Sequence, residues 1–92
     1  MNKKIQILRR KLDKLDDSFL NLVKKRTLLV DQVLKTKKFK KQIIDKKRIK
    51  LILKKIKTKS LKKNIDITVS NRIWKAMISS YIDYEFRKFK KK

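Results

Sequence analysis

An apolar stripe with helical spacing limits the possible folds of this chain more than any other feature. From Ile5 to Val33 an apolar residue recurs in alternating steps of three and four, which is the period of an α-helix. This apolar stripe comprises Ile5, Leu8, Leu12, Leu15, Phe19, Leu22, Leu29 and Val33. Arg26 interrupts it at a position where the period requires an apolar residue. The sequence therefore predicts a long first helix that carries a cation within its apolar face.

The rest of the chain also favours helices. Gly and Pro are absent, so the turn chemistry of β-hairpins is missing. We predict a first helix from about residue 3 to about 38, and a second, KKRIKLILKKIK (46–57), capped by Asp45. A polar link, TKSLKKN (58–64), follows the second helix.

A third helix completes the predicted fold. Asp66 is its expected N-cap, and it reads ITVSNRIWKAMISSYIDYEFRKF (67–89). The fold class is all-α, with one domain over residues 1–92 and a long first, a short second and a medium third helix. Because so small a chain with one very long helix buries little apolar surface alone, we expect two copies wound together as a homodimer.

The composition excludes several kinds of chemistry. Without Cys or His, the chain has no disulfide, no thiol nucleophile and neither the usual general base nor the commonest metal ligand. We expect no metal and no cofactor. No apolar run approaches the ~20 residues of a membrane span, and the N-terminus MNKKIQILRRK lacks a signal-peptide core. The expected location is the cytoplasm, away from membranes.

The net charge of +23 has two explanations. Counterion release from nucleic acid would use such a charge, and a basic nucleic-acid-binding helical protein remains an alternative. The cations, however, are 25 Lys and only six Arg, and A/T-rich codons favour Lys, Ile and Asn in any protein. We therefore expect no specific nucleic acid partner, and interpret the runs KTKKFKK (35–41) and FRKFKKK (86–92) as solvated helix ends and a frayed tail.

The spacing of three cations suggests how they could share a ligand. Arg26 and Lys37 are 11 residues apart, which on a helix is about 16 Å along the axis and about 20° in rotation. Two long side chains so placed can hold one small anion between them. Arg9 lies about 25 Å and about 100° from Arg26 on a straight helix, so it cannot reach the same anion. An antiparallel partner helix would supply a second chain's Arg9.

Ionisable residues also lie beside the apolar faces of the other two helices. Arg48 follows Ile44 by one turn on the second helix, and Glu85 follows Tyr81 by one turn on the third. Structural ion pairs between Arg26 and Glu85, or between Asp45 and Arg48, are one explanation. The inward cations outnumber the carboxylates, however, and this excess suits a small dianion with two separated carboxylates.

The sequence resembles the all-helical chorismate mutases. The resemblance runs from about Ile5 to Lys88 and includes LRRKLDKLDDSFLNLVKKR, VLKTKK, IIDKKR and RIWKAMISSYIDYE, in that order. It implies an interlocked homodimer of three-helix chains that converts the dianion chorismate to prephenate in aromatic amino acid biosynthesis. Each of two sites would combine Arg9 of one chain with residues of the other.

The resemblance also implies a role for each candidate residue. Arg26, Lys37 and the partner's Arg9 would hold the two carboxylates, and Lys37 would also face the ether oxygen. Glu85 falls where the family carries Gln or Glu, as a second donor to that oxygen. The implied catalytic residues are Lys37, Glu85 and Arg26, and the implied substrate-binding residues are Arg9, Arg26, Lys37, Asp45, Arg48 and Tyr81. Arg48 and the start of the second helix, near Asp45, would lie near the ring hydroxyl.

Two positions depart from the usual mutase pattern. Ile49 follows Arg48 where the family often has Glu, and Tyr81 replaces a common Ser. Both departures resemble the related isochorismate–pyruvate lyases, which share the fold and the cationic clamp. The lyase reaction therefore stays open beside the mutase reaction. A carboxyl donates a hydrogen bond only when protonated, so for Glu85 we also expect activity to rise below neutral pH.

Overall fold

A computed structural model describes residues 2–90 and contains three α-helices. They are α1 (Lys3–Thr36), α2 (Lys46–Lys62) and α3 (Ile67–Lys88), and a 3-10 helix (Lys40–Gln42) lies between the first two. Within residues 2–90 there is no strand. The predicted all-α class and the order long, short, medium are confirmed.

Two aspartates cap α2 and α3 as the sequence predicts. The Asp45 carboxylate accepts a hydrogen bond of 3.0 Å from the backbone amide of Arg48. The Asp66 carboxylate accepts one of 3.0 Å from the amide of Val69. Each carboxylate thereby satisfies one of the helix's free first-turn amides and places negative charge at the positive end of the helix.

The predicted link after the second helix is wrong for most of its length, because α2 continues to Lys62. The hydroxyls that suggested a link are satisfied inside the helix. Thr58 Oγ1 donates to the Lys54 carbonyl at 3.1 Å, and Ser60 Oγ to the Ile56 carbonyl at 2.6 Å. The chain reverses direction only at Asn64, whose φ of 58° is one that Asn tolerates.

The other helix ends differ little from the prediction. α1 ends at Thr36 rather than near residue 38, and the Lys37 amide closes the last turn on the Leu34 carbonyl at 3.0 Å. α3 ends one residue early, at Lys88, so the expected frayed tail is helical over its first three residues. Residues 91 and 92 of that tail lie outside the described part of the chain.

A buried pair of hydroxyls lies where α2 and α3 pack together. Ser60 is 3% exposed and Ser70 is 5% exposed, and their Oγ atoms are 2.8 Å apart in a hydrogen bond. Small side chains at this position let the two backbones approach. Because each hydroxyl is hydrogen-bonded, burying it carries little penalty. The contact fixes the α2–α3 hairpin, whose far end carries the residues discussed below.

The chain divides into two compact units, one ending at Gln32 and one beginning at Val33. In the first unit the apolar stripe is exposed along its whole length, by 43% to 65% of each side chain. Its members there are Ile5, Leu8, Leu12, Leu15, Phe19, Leu22 and Leu29. A single domain over residues 1–92 therefore stays a prediction. None of the helices between residues 2 and 90 is long and apolar enough to cross a membrane.

We expect Asp66→Ala to lower the free energy of unfolding by about 1 kcal/mol, because the Val69 amide loses its acceptor. Urea unfolding followed by circular dichroism measures the change. Asp66→Asn keeps an acceptor oxygen at the same place and serves as the control, with a much smaller loss. Equal losses in the two variants would show that the hydrogen bond at this cap does not stabilise α3.

Candidate functional site

An ion pair between Lys37 and Glu85 forms the centre of the candidate site. Lys37 Nζ donates a hydrogen bond of 2.9 Å to Glu85 Oε1. Their side chains are only 16% and 9% exposed, although the residues are 48 positions apart in sequence. A charge removed from water to this extent is stable only with a partner, so each side chain fixes the other.

The backbone on both sides of Lys37 is anchored. Leu34, three residues before it, is 8% exposed, and Ile43, six residues after it, is 3% exposed. The segment between these anchors ends α1, passes through Lys37 and forms the 3-10 helix. Glu85 lies in the last turn of α3, one turn after the half-buried Tyr81. Two anchored elements of the second unit thus bring the ammonium and the carboxylate together.

An open cavity of about 580 Å³ lies beside Lys37, at the N-terminal end of α2. Its lining consists of Thr36, Lys37, Gln42, Ile44, Asp45, Lys46 and Lys47. Three of these are cations and one is an acid, and that acid already accepts a bond from the first turn of α2. The volume falls within the range of small-ligand sites. The balance of charge and the first-turn amides of α2 favour an anionic occupant.

The remaining candidates of the second unit have distinct surroundings. Arg48 is exposed in the first turn of α2, and its contact with Asp45 uses the backbone amide rather than the guanidinium. The alternative of an ion pair between these two side chains is thus replaced by a helix cap. Tyr81 packs edge-to-face on Tyr84, with ring centroids 6.2 Å apart at 87°.

Arg9 and Arg26 lie in the first unit, on α1, and both residues are exposed in the single chain. Arg26 shares this exposure with its neighbours in the apolar stripe, Leu22 and Leu29, each of which is 60% exposed. The second unit therefore brings together Lys37, Glu85 and the cavity that includes Asp45. Arg9 and Arg26 belong to the first unit.

Sequence reasoning missed Gln42, which lines the cavity together with Lys37. Its Oε1 accepts hydrogen bonds from the backbone amides of Lys38, at 2.6 Å, and Phe39, at 2.9 Å. One signal could have identified it. Gln42 is the only residue from 37 to 42 whose side chain can accept a hydrogen bond. The run 35–41 is also not simply a solvated helix end, since Lys37 is half-buried and paired.

A family model described as "Chorismate mutase type II" matches residues 8–86. No curated protein and no solved structure matches the chain. The family match begins before Arg9, ends after Glu85 and so includes every candidate residue named above. Because it covers far more than half of the sequence, the chain belongs to the chorismate mutase type II family, whose activity is that of an isomerase.

Proposed function

We propose that this protein rearranges chorismate to prephenate by restraining the dianion and stabilising its ether oxygen, with Lys37 as the principal catalytic residue. The observation that carries the proposal is the half-buried Lys37 ammonium, held by Glu85 beside a cation-rich cavity in a chain of this family. The family supports mutase activity in general. The roles of individual residues below are the proposal.

The reaction suits a chain without the usual catalytic side chains. Conversion of chorismate to prephenate is a unimolecular pericyclic shift that requires no nucleophile, metal or proton transfer, so the absence of His and Cys is no obstacle. A catalyst can accelerate it by holding the flexible dianion in the compact, chair-like shape from which it reacts. Fixed cations around a small cavity perform this restraint.

Lys37 would supply the electrostatic part of catalysis. Negative charge grows on the ether oxygen as the carbon–oxygen bond breaks, and a cation already in position stabilises that charge without reorganisation. Only contacts that strengthen in the transition state raise the rate. The Glu85 contact supports this role, because it holds the ammonium in a place with little water. A protonated Glu85 would be the second donor to the same oxygen.

The arginines would hold the substrate carboxylates. A guanidinium binds a carboxylate through two parallel hydrogen bonds, which a lysine cannot reproduce. Arg26 would form one such clamp, and Arg9 of a second chain would form another. Asp45, Arg48 and Tyr81 would contact the ring end of the substrate. In a lysine-rich chain, arginine at these positions supports a requirement for the planar group.

A homodimer is part of the proposal, and the exposed apolar stripe supports it. Seven large apolar side chains on one face of α1 are 43% to 65% exposed in the single chain. Burying side chains of this kind stabilises an assembly by about 1.5–3 kcal/mol each when burial is complete. A second α1 lying antiparallel would cover the stripe and bring its Arg9 toward the first chain's Arg26.

Assaying the purified protein with chorismate and separately with isochorismate tests the function. We expect prephenate from chorismate and no salicylate from isochorismate. Salicylate and pyruvate as the main products would instead support the lyase, which Ile49 and Tyr81 favour. Turnover of neither substrate, together with salt-sensitive DNA binding, would support the nucleic-acid alternative.

Arg26→Lys keeps the charge but removes the planar guanidinium that binds a carboxylate through two hydrogen bonds. We expect it to lower kcat/KM by roughly a hundredfold or more. Arg10→Lys, at an exposed arginine outside the proposed site, is the matched control and should retain wild-type kinetics. Circular dichroism should show the same helix content in both. Full activity in Arg26→Lys would remove the clamp from the proposal.

Mixing two inactive variants tests whether Arg9 and Arg26 act across subunits. We expect Arg9→Ala and Arg26→Ala each to be inactive as homodimers. After joint unfolding and refolding in equal amounts, half of the dimers should be mixed, each with one intact site out of two, so about a quarter of wild-type activity returns. Each variant refolded alone is the control. No recovery, with mixed dimers verified by mass spectrometry, would contradict a shared site.

The pH dependence of kcat tests the proposed donor role of Glu85. Only the protonated carboxyl donates to an ether oxygen, so we expect activity to rise as the pH falls below neutral. Glu85→Gln donates at every pH, so its kcat should stay constant from acid to neutral pH. A wild-type kcat that is also constant from acid to neutral pH would exclude the role.

A further inference from the structure

We propose that Gln42 is a positioning residue that aims Lys37 by bracing the backbone that follows it; this inference rests on the proposed function of Lys37. The two backbone amides directly after Lys37, those of Lys38 and Phe39, both donate to one atom, Gln42 Oε1. The distances are 2.6 and 2.9 Å, so both bonds are short.

Gln42 holds this segment through its backbone as well as its side chain. Its own amide donates to the Phe39 carbonyl at 3.0 Å, which closes the 3-10 turn. Its side chain reaches back to the amides at the start of the turn. The two sets of bonds enclose residues 38–42 in one hydrogen-bonded loop, and that loop begins at the residue after Lys37.

No other side chain from residue 37 to residue 41 can replace this acceptor. The segment 37–42 reads KKFKKQ, and Lys and Phe side chains provide no acceptor. The amide of Lys37 itself is bound to the end of α1, through the Leu34 carbonyl. Without the Gln42 oxygen, the amides of Lys38 and Phe39 would turn to water, and the backbone between Leu34 and Ile43 would gain freedom at Lys37.

The position of Gln42 makes this freedom relevant to chemistry. Gln42 lines the same cavity as Lys37, so the braced segment forms part of the wall of the candidate site. Glu85 restrains the tip of the Lys37 side chain. The two hydrogen bonds from the Lys38 and Phe39 amides to Gln42, here called the brace, restrain the backbone at its base. A substrate anion that draws the ammonium from Glu85 leaves the brace as the remaining restraint. Small displacements of a catalytic group reduce rates strongly.

Three variants separate this role from general stability. Gln42→Met has similar length but lacks the oxygen acceptor, and Gln42→Glu keeps an oxygen that can accept both bonds. Gln32→Met is the matched control for Gln42→Met. Gln32 is an exposed residue of α1, and its side chain forms no hydrogen bond with any of residues 2–90. Hydrogen exchange of the Lys38 and Phe39 amides, measured by NMR, reports the brace independently of activity.

We expect Gln42→Met to lower kcat on chorismate by about tenfold and to speed exchange of both amides, because Lys37 is no longer held in place. In Gln42→Glu both amides should stay protected and kcat should recover, while the added negative charge raises KM for the dianion. Gln32→Met should match the wild type in all three quantities.

Each other outcome has a definite meaning. Wild-type kcat in Gln42→Met, or an equal loss of kcat in Gln42→Met and Gln42→Glu with folding intact, would overturn the positioning role. Unfolding of Gln42→Met at the assay temperature would make the brace structural and would also overturn it. A wild-type protein that does not turn over chorismate would overturn the proposed function itself, which distinguishes that failure from a failure of this inference.

Discussion

The Lys37–Glu85 ion pair joins two elements that are far apart in sequence, the segment after α1 and the last turn of α3. Two charges this far removed from water are stable only when they are paired, and the 2.9 Å contact pairs them. In the same step it places an ammonium beside an open cavity before any substrate arrives. A cation fixed in advance requires no reorganisation when charge develops on a reacting oxygen. Under the proposed function, the interaction that orders the segment would therefore also prepare it for catalysis.

The pair also sets up a competition. A substrate carboxylate or ether oxygen that reaches Lys37 must share the ammonium with Glu85 or displace it. Displacement leaves a nearly buried carboxylate without its cation, which is costly. In the proposed mechanism, Glu85 would be the partner of Lys37 in the free protein and a second donor to the ether oxygen in the complex.

Local sequence signals predicted the parts of this structure that depend on neighbours in sequence. Asp45 and Asp66 were predicted as caps because a capping carboxylate binds an amide three residues later, and both bonds are present. The end of α2 was predicted wrongly because its serine and threonine were interpreted as link residues, the role these types favour. Their hydroxyls instead bind carbonyls one turn earlier, and Ser60 also bonds Ser70 on α3, a contact that the local sequence does not indicate. The partner of Glu85 was likewise beyond local signals, since Lys37 lies 48 positions away.

The net charge of +23 and the exposed apolar stripe act on assembly in opposite directions. Two such chains repel each other, and the repulsion opposes burial of the stripe. Salt at physiological strength screens charges beyond about 8 Å, while apolar burial is not weakened by screening. Lysine also extends its charge away from the backbone on a flexible stem, so the charges of a dimer can remain in water while the stripes meet. Association of this chain with itself should therefore strengthen as the ionic strength rises. Binding to a polyanion should instead weaken, because the release of counterions is less favourable at high salt. The charge that first suggests a nucleic-acid partner is thus compatible with a dimeric enzyme, provided that apolar contacts along α1 dominate the interface.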